Sequence, residues 1–252
     1  MDVKVHPEHQ GNGYGAQMFQ HIADTVGALA PSVLRAESRE HRERERRFLE
    51  ARGFVEEAWG QESALAIEPF DPSAFQKDID RVLAQGIAIK NYAELVQETT
   101  DLGALHWKLD DLYWAAIQDI PNFDQNKRMP HEEFVRRYES SLLLPEGQVF
   151  AVDGDRVVGM SVVWKRPCDN DMDTGTTGVL REYRHRGIAT ALKVTALTVA
   201  KQYGAKSVRT SNAARNTGML GINRRLVFVP KSAWIIYIKE ITPEALKKPS
   251  CL

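Results

Sequence analysis

Tyr183-Arg184-His185-Arg186-Gly187-Ile188-Ala189-Thr190 opens a long amphipathic run and follows the strand-like stretch Thr174 to Leu180. The first amides of a helix have no intrahelical carbonyl partner, and the aligned peptide dipoles place partial positive charge there. Gly187 lets a phosphate approach the backbone with no Cβ in the way, and Arg184 and Arg186 add positive charge beside it. The stretch predicts a cradle for a pyrophosphate.

A second copy of the spacing Arg184-x-x-Gly187-x-Ala189 lies near the start of the chain. His6 to Gly15 carries Gln10-x-x-Gly13-x-Gly15 and leads into a helical pattern through Met18, Phe19, Ile22 and Val26. Gly11, Gly13 and Gly15 do not make G-x-G-x-x-G, and no convincing strand precedes them, which argues against a dinucleotide fold. The chain therefore reads as a tandem.

Composition fits this reading without deciding it. With 252 residues, 43% hydrophobic and 27% charged, the chain has room for one large domain or two modest ones. A formal net charge of -1 gives no electrostatic case for nucleic acid or an anionic membrane. Arg39 to Arg47 is dense in charge, but Glu40, Glu43 and Glu45 interleave with the arginines and predict a solvated helix face with i,i+4 pairs such as Glu43 with Arg47. Cys168 and Cys251 form no CxxC and no histidine spacing suits a metal, so a reduced, cytoplasmic, metal-free protein is expected. No apolar run approaches the roughly 20 residues of a membrane helix.

Along the chain, Val3 to Val5 predicts the remnant of a strand, followed by a helix over 14–29, a strand over 32–36, a helix over 42–51 and strand material over 54–67. Residues 1–70 then form a partial domain, its second half only, and an uncovered sheet edge at Val3 to Val5 leaves a homodimer open. Two prolines in Glu68 to Ser73 predict a linker over 71–84. Residues 85–242 read as one complete domain, with a tail at 243–252. Its expected elements are a strand over 86–90, helices over 102–117 and 131–143, and a hairpin closed by Asp153-Gly154-Asp155 between 148–152 and 157–164. After the loop come a helix burying Ile188, Leu192, Thr195, Ala196, Val199 and Tyr203, a strand over 206–210, a helix over 216–226 and a strand over 233–239.

The loop spacing, Thr176-Thr177-Gly178-Val179, Thr210-x-Asn212 and Asn216-x-x-Met219-x-x-Ile222-Asn223-x-x-Leu226 together resemble the GNAT (GCN5-related) N-acetyltransferases, in particular the tandem, mycothiol synthase-like group. The resemblance spans nearly all of residues 85 to 240 and, more weakly, 3 to 67. It implies an α/β (α+β) fold with a central mixed, mostly antiparallel sheet flanked by helices. It also implies acetyl-CoA as cosubstrate and transfer of its acetyl group to a small-molecule or peptide amine. The cosubstrate site it implies comprises Val179, Leu180, Arg181, Arg184, Arg186, Gly187, Ile188, Ala189, Thr190, Asn212 and Asn216, with the backbone N–H near Val179 polarising the thioester carbonyl.

Acid and base do not follow from the resemblance. Many members protonate the departing thiolate with a Tyr that aligns here with Asn223, and in the first copy with Phe48; neither side chain supplies a proton. Asp173 or Asp171 is the candidate base, with Asp169-Asn170-Asp171 also readable as a solvated loop. Val227 stands where the family usually has Gly, so the preceding helix is expected to end differently. Trp107, Tyr113 and Trp114, with Asp119-Ile120-Pro121 after them, are candidates for the core or for an acceptor mouth. A non-catalytic acyl-CoA-binding or dimerisation module is the alternative that the sequence leaves open.

Overall fold

The computed structural model describes residues 4–120, 128–167 and 170–241. Val3, Pro121, Cys168, Asp169, Cys251 and the expected tail at 243–252 lie outside these residues. In chain order the first elements are α1 (Tyr14–Gly27), β1 (Val33–Arg39), α2 (Glu43–Glu50), β2 (Val55–Ala66), α3 (Gln76–Leu83), β3 (Ala88–Asn91), α4 (Tyr92–Glu98), α5 (Leu102–Ile117) and α6 (His131–Arg136). There follow β4 (Leu143–Asp153), β5 (Arg156–Lys165), β6 (Met172–Val179), α7 (Ile188–Tyr203), β7 (Ser207–Ala213), α8 (Thr217–Arg225), β8 (Val229–Pro230) and β9 (Trp234–Glu240). No helix among the described residues is long and apolar enough to cross a membrane.

The chain divides into two compact units at boundaries other than those expected. One takes the residues up to Glu57 together with those from Ile235 onward, and the other is Ala58–Trp234. Each unit thus takes strand residues from the half of the sequence that the tandem reading assigns to the other. The expected linker over 71–84 is folded. Asp71 accepts from Ser73 N at 2.9 Å and caps a 3-10 turn, α3 follows, Val82 is buried, and the buried Asp78 takes two bonds from Arg225. The prolines end β2 and start a helical segment rather than an unstructured one.

In the first unit β1 lies beside β9. Phe19 meets Phe48 and Phe54 edge-on, and the Arg52 guanidinium stacks 3.5 Å from the Phe48 centroid. The expected surface pair of Glu43 with Arg47 forms at 2.6 Å. Lys4 and Val5 are not in a strand, which corrects the expected remnant at Val3 to Val5.

The second unit is built on a sheet ordered β2-β7-β6-β5-β4-β3, with β8 on β2. All its neighbours are antiparallel except β6 and β7. The β4-β5 hairpin closes with Gly154 at φ +57, as Asp-Gly predicts. The helix expected over 131–143 stops at Arg136, because a Ser140 Oγ bond from Leu142 N at 3.2 Å turns the chain and Leu143 pairs with Trp164. α7 buries Ile188, Ala191, Leu192, Ala196, Leu197 and Ala200, whereas Tyr203 is exposed and Thr195 and Val199 are only partly covered. The helix packs against the sheet and also against α3 and the 3-10 turn before α3, so a wider arc than one stripe is buried, and Lys193, bonded to Asn223 of α8, falls inside it.

The end of α8 also differs from expectation. Val227 keeps the left-handed turn at φ +57, with Phe228 N donating to Asn223 O at 2.9 Å and Val227 N to Arg224 O at 3.0 Å. The helix ends as a glycine would end it, at a β-branched residue, because the bonds of the turn and the burial of Leu226 and Phe228 outweigh local strain. Replacing Val227, which is 64% exposed, by Gly should therefore raise unfolding stability by about 1 kcal/mol. Urea unfolding checks this, and an unchanged or lower stability would show that the turn is not strained.

Candidate functional site

The parallel pairing of β6 with β7 covers only Met172 with Val208 and Asp173 with Arg209. Beyond it, β6 stays on β5 as far as Val179 and β7 stays on β2 as far as Ala213, so the two inner edges part and form a fork. Leu180 N donates to Val158 O at 2.9 Å; by alternation along an antiparallel strand, the Val179 N–H and C=O face away from β5. The Val179 carbonyl accepts from Arg184 Nε at 3.1 Å, and its N–H is left toward the fork. Gly178 holds this strand against α5, since a Cβ there would stand 2.5 Å from that of Ala116.

The loop after β6 is a cradle of amides. His185 and Gly187 take φ +61 and +85, and α7 begins at Ile188 with its first helical bond from Ala191 N to Gly187 O. The N–H groups of Ile188, Ala189 and Thr190 therefore have no carbonyl of the helix to bind, at the positive end of a 16-residue dipole. The arginines divide their work. Arg181 and Arg184 both pair with Asp119 and fasten the loop to the end of α5, so neither guanidinium is directed at a phosphate as expected. Bonding to Arg181 first, and then to Arg184, holds the Asp119 carboxyl down to about 2. Arg186 Nε donates to Gln85 Oε1 at 2.8 Å while Gln85 Nε2 returns a bond to Arg186 O at 3.2 Å, which orients the one loop arginine that Asp119 does not hold.

On the other side of the fork a chain of polar side chains runs from the core to β7. Lys193 Nζ, buried in α7, donates to Asn223 Oδ1 at 2.6 Å; Asn223 Nδ2 donates to Asn212 Oδ1 at 2.7 Å. Thr174 donates to Thr210 at 2.8 Å across the vertex of the fork, and Thr210 reaches Asn212 Oδ1 at 3.4 Å. Burial alone drops the Lys193 ammonium to about 7. Asn216 caps α8 by accepting from Met219 N at 3.1 Å. Asp173 lies at the paired end of β6, 3.3 Å from Arg166 Nη1 and six residues, or about 20 Å, from Val179, so the structure does not bring the candidate base to the fork. Asp171 is held by Arg209 and Ser207, whose bonds outweigh burial and keep its carboxyl below the usual range.

A model of the Acetyltransferase (GNAT) family matches residues 109–221, which contain the fork, the cradle and Lys193. N-alpha-acetyltransferase 30 of Schizosaccharomyces pombe is 31% identical over 107 residues, covering 39% of this chain and 67% of that protein. The chain belongs to the GNAT acetyltransferase family. Two solved structures share the fold of this GNAT chain. A GCN5-related N-acetyltransferase from Sphaerobacter thermophilus gives a TM-score of 0.73 at 21% identity, over 95% of this chain and 71% of that one. A tandem GNAT protein from the clavulanic acid biosynthesis pathway gives 0.70 at 20% identity, over 96% and 74%.

Lys193 is the site residue that sequence reasoning missed, and one signal could have found it. It is the only charged residue from Ile188 to Ala200, a stretch too apolar to present a solvent face at that turn. Its burial sets a pH dependence with a definite sign. Between about 7 and the ordinary 10.5 the unfolded chain holds a proton on Lys193 that the folded chain has released, so stability rises with pH through that window. Lys193→Met removes this component, up to about 1.4 kcal/mol per pH unit. Because the variant also strips Asn223 Oδ1 of its donor, the slope of unfolding free energy against pH is the readout. Equal slopes in the two proteins would refute the burial of an uncompensated amine.

Proposed function

We propose that this GNAT chain transfers an acetyl group from acetyl-CoA to a primary amine by direct attack on the thioester, with the working site in the unit Ala58–Trp234. The observation that carries the reading is that one strand, β6, supplies both an open fork and, at its end, the free amides of a helix N-terminus. A pyrophosphate suits the amides of Arg186 to Thr190 and the Arg186 guanidinium, and an extended arm suits the inner edge of β6. The Val179 N–H is the donor for the thioester carbonyl, where negative charge develops. Arg181 and Arg184 serve by holding the loop on Asp119, and Asn216 by capping α8. The amine nitrogen forms the new C–N bond, the C–S bond breaks, and the net proton passes from the amine through water to the CoA thiolate. Asn223 is buried between two side chains and gives no proton; a thiolate leaves without one, more slowly than with one.

The S. pombe relative is named for N-alpha-acetylation, which puts peptides with free α-amino groups first among the acceptors to try. Calorimetric titration with acetyl-CoA should give about one site per chain, lost in Arg186→Glu with Gly187→Asp and weakened in Arg186→Glu alone, with circular dichroism confirming that the variants fold. Thiol release on adding amines then tests transfer. Binding without release by any amine would favour an acyl-CoA-binding module, and absence of binding by folded wild type would end the reading.

A further inference from the structure

The chain from Lys193 to Asn212 has a chemical direction. A lysine ammonium carries three donors and no acceptor, whereas a carboxamide has one face that accepts and one that donates. Lys193 Nζ donates to Asn223 Oδ1 at 2.6 Å, and below about pH 7, where the amine is charged, the reverse orientation would set NH2 against NH3+. The Asn223 NH2 is thereby aimed at Asn212, which in turn must present its oxygen at 2.7 Å. Thr174 and Thr210 send a second line of donors to the same atom. With Oδ1 of Asn212 committed to Asn223 and Thr210, its Nδ2 is the unused end of the network, and among the described residues it has no hydrogen-bond acceptor. Asn212 lies two residues past Thr210, on the part of β7 that has left β6, and is only half buried.

We infer that Lys193 is a positioning residue: by donating into Asn223 it fixes the orientation of two amides, so that Asn212 offers an N–H at the fork to a carbonyl oxygen of the acyl-pantetheine arm. The cosubstrate brings such an oxygen in two places, the thioester and the pantetheine amides. This rests on the proposed cosubstrate site and adds to it a reason for a lysine in the core. In its charged form the lysine is a donor-only group at the buried end and sets an orientation that another carboxamide there would leave reversible, and among the described residues no carboxylate pairs with it, so the binding test below is run at about pH 6.

The test compares dissociation constants of acetyl-CoA, CoA and S-ethyl-CoA, a thioether without the acyl oxygen, for wild type, Lys193→Met, Asn212→Asp and the double variant. Asn212→Asp keeps an oxygen for Asn223 and Thr210 while replacing the outward donor by a second oxygen and adding a negative charge, and Asn212→Ala, which removes the donor without adding charge, controls for that charge. Each single variant should weaken acetyl-CoA by about 3- to 10-fold, the worth of one hydrogen bond. The double variant should be no weaker than Asn212→Asp alone, because Lys193 acts through Asn212. Loss confined to acetyl-CoA assigns the N–H to the thioester carbonyl, and equal loss for all three ligands assigns it to a pantetheine amide. Lys193→Gln, which can donate to Asn223 or turn round, should fall between wild type and Lys193→Met. Unchanged affinities in folded variants, or additive losses in the double variant, would overturn the inference. Failure of wild type to bind any of the three ligands would instead strike the proposed function.

Discussion

Once Met172 and Asp173 have paired with Val208 and Arg209, β6 follows β5 and β7 follows β2, and beyond the side-chain bond of Thr174 to Thr210 no further ladder pair joins the two inner edges. Backbone polar groups left without partners are costly where water is excluded and available where a ligand can replace it. The Val179 N–H is such a group, and it is held in place from both sides. β5 fixes it through Leu180, and Arg184 closes the carbonyl of the same residue. The contact of Gly178 with Ala116 sets the strand's height on α5, and Asp119 at the end of that helix grips Arg181 and Arg184. Fork and cradle are thus parts of one rigid path, from the vertex at Thr174 to the amides of α7.

The polar chain on the β7 side works against the usual tendency of a core. Burying Lys193 penalises its charged form, and two buried or half-buried amides add their own desolvation. An apolar side chain at position 193 would pack without that penalty. What the lysine supplies is a network in which the amide oxygens of Asn223 and Asn212 each meet a donor and only the outward Nδ2 of Asn212 is left over among the described residues, and a connected buried network of this kind specifies one arrangement. Stability and site geometry therefore pull in opposite directions at this residue.

What the sequence made legible was local. Gly187 at positive φ, the strand before it, the helix after it and the Asp-Gly hairpin each depend on a few adjacent residues, and each formed where expected. What it concealed depended on distant partners. Arg184 reads as a phosphate ligand until Asp119, which is 65 residues away, takes its charge. Asp173 reads as a base near the strand until the pairing register sets it at the wrong end. The stretch 71–84 reads as a linker because its prolines are visible and its partner Arg225 is not. Residues 58–66 read as part of the first half because contiguity in sequence says nothing of which neighbour a strand will choose.

The two loops show how little the motif decides by itself. Gly13 at φ +82 and Gly187 at φ +85 both cap a helix, of 14 and 16 residues, and a 3-10 turn precedes each. At this level the backbones are copies. The difference lies in what supports them. Gln10, in the place of Arg184, donates to Val5 O and accepts from Arg44, and no strand is formed at Lys4 or Val5. The described residues before it, Lys4 to His6, form no strand along which an extended arm could lie. A helix N-terminus attracts an anion wherever it occurs; only beside a strand whose inner edge is open does it become one end of a site for a long ligand.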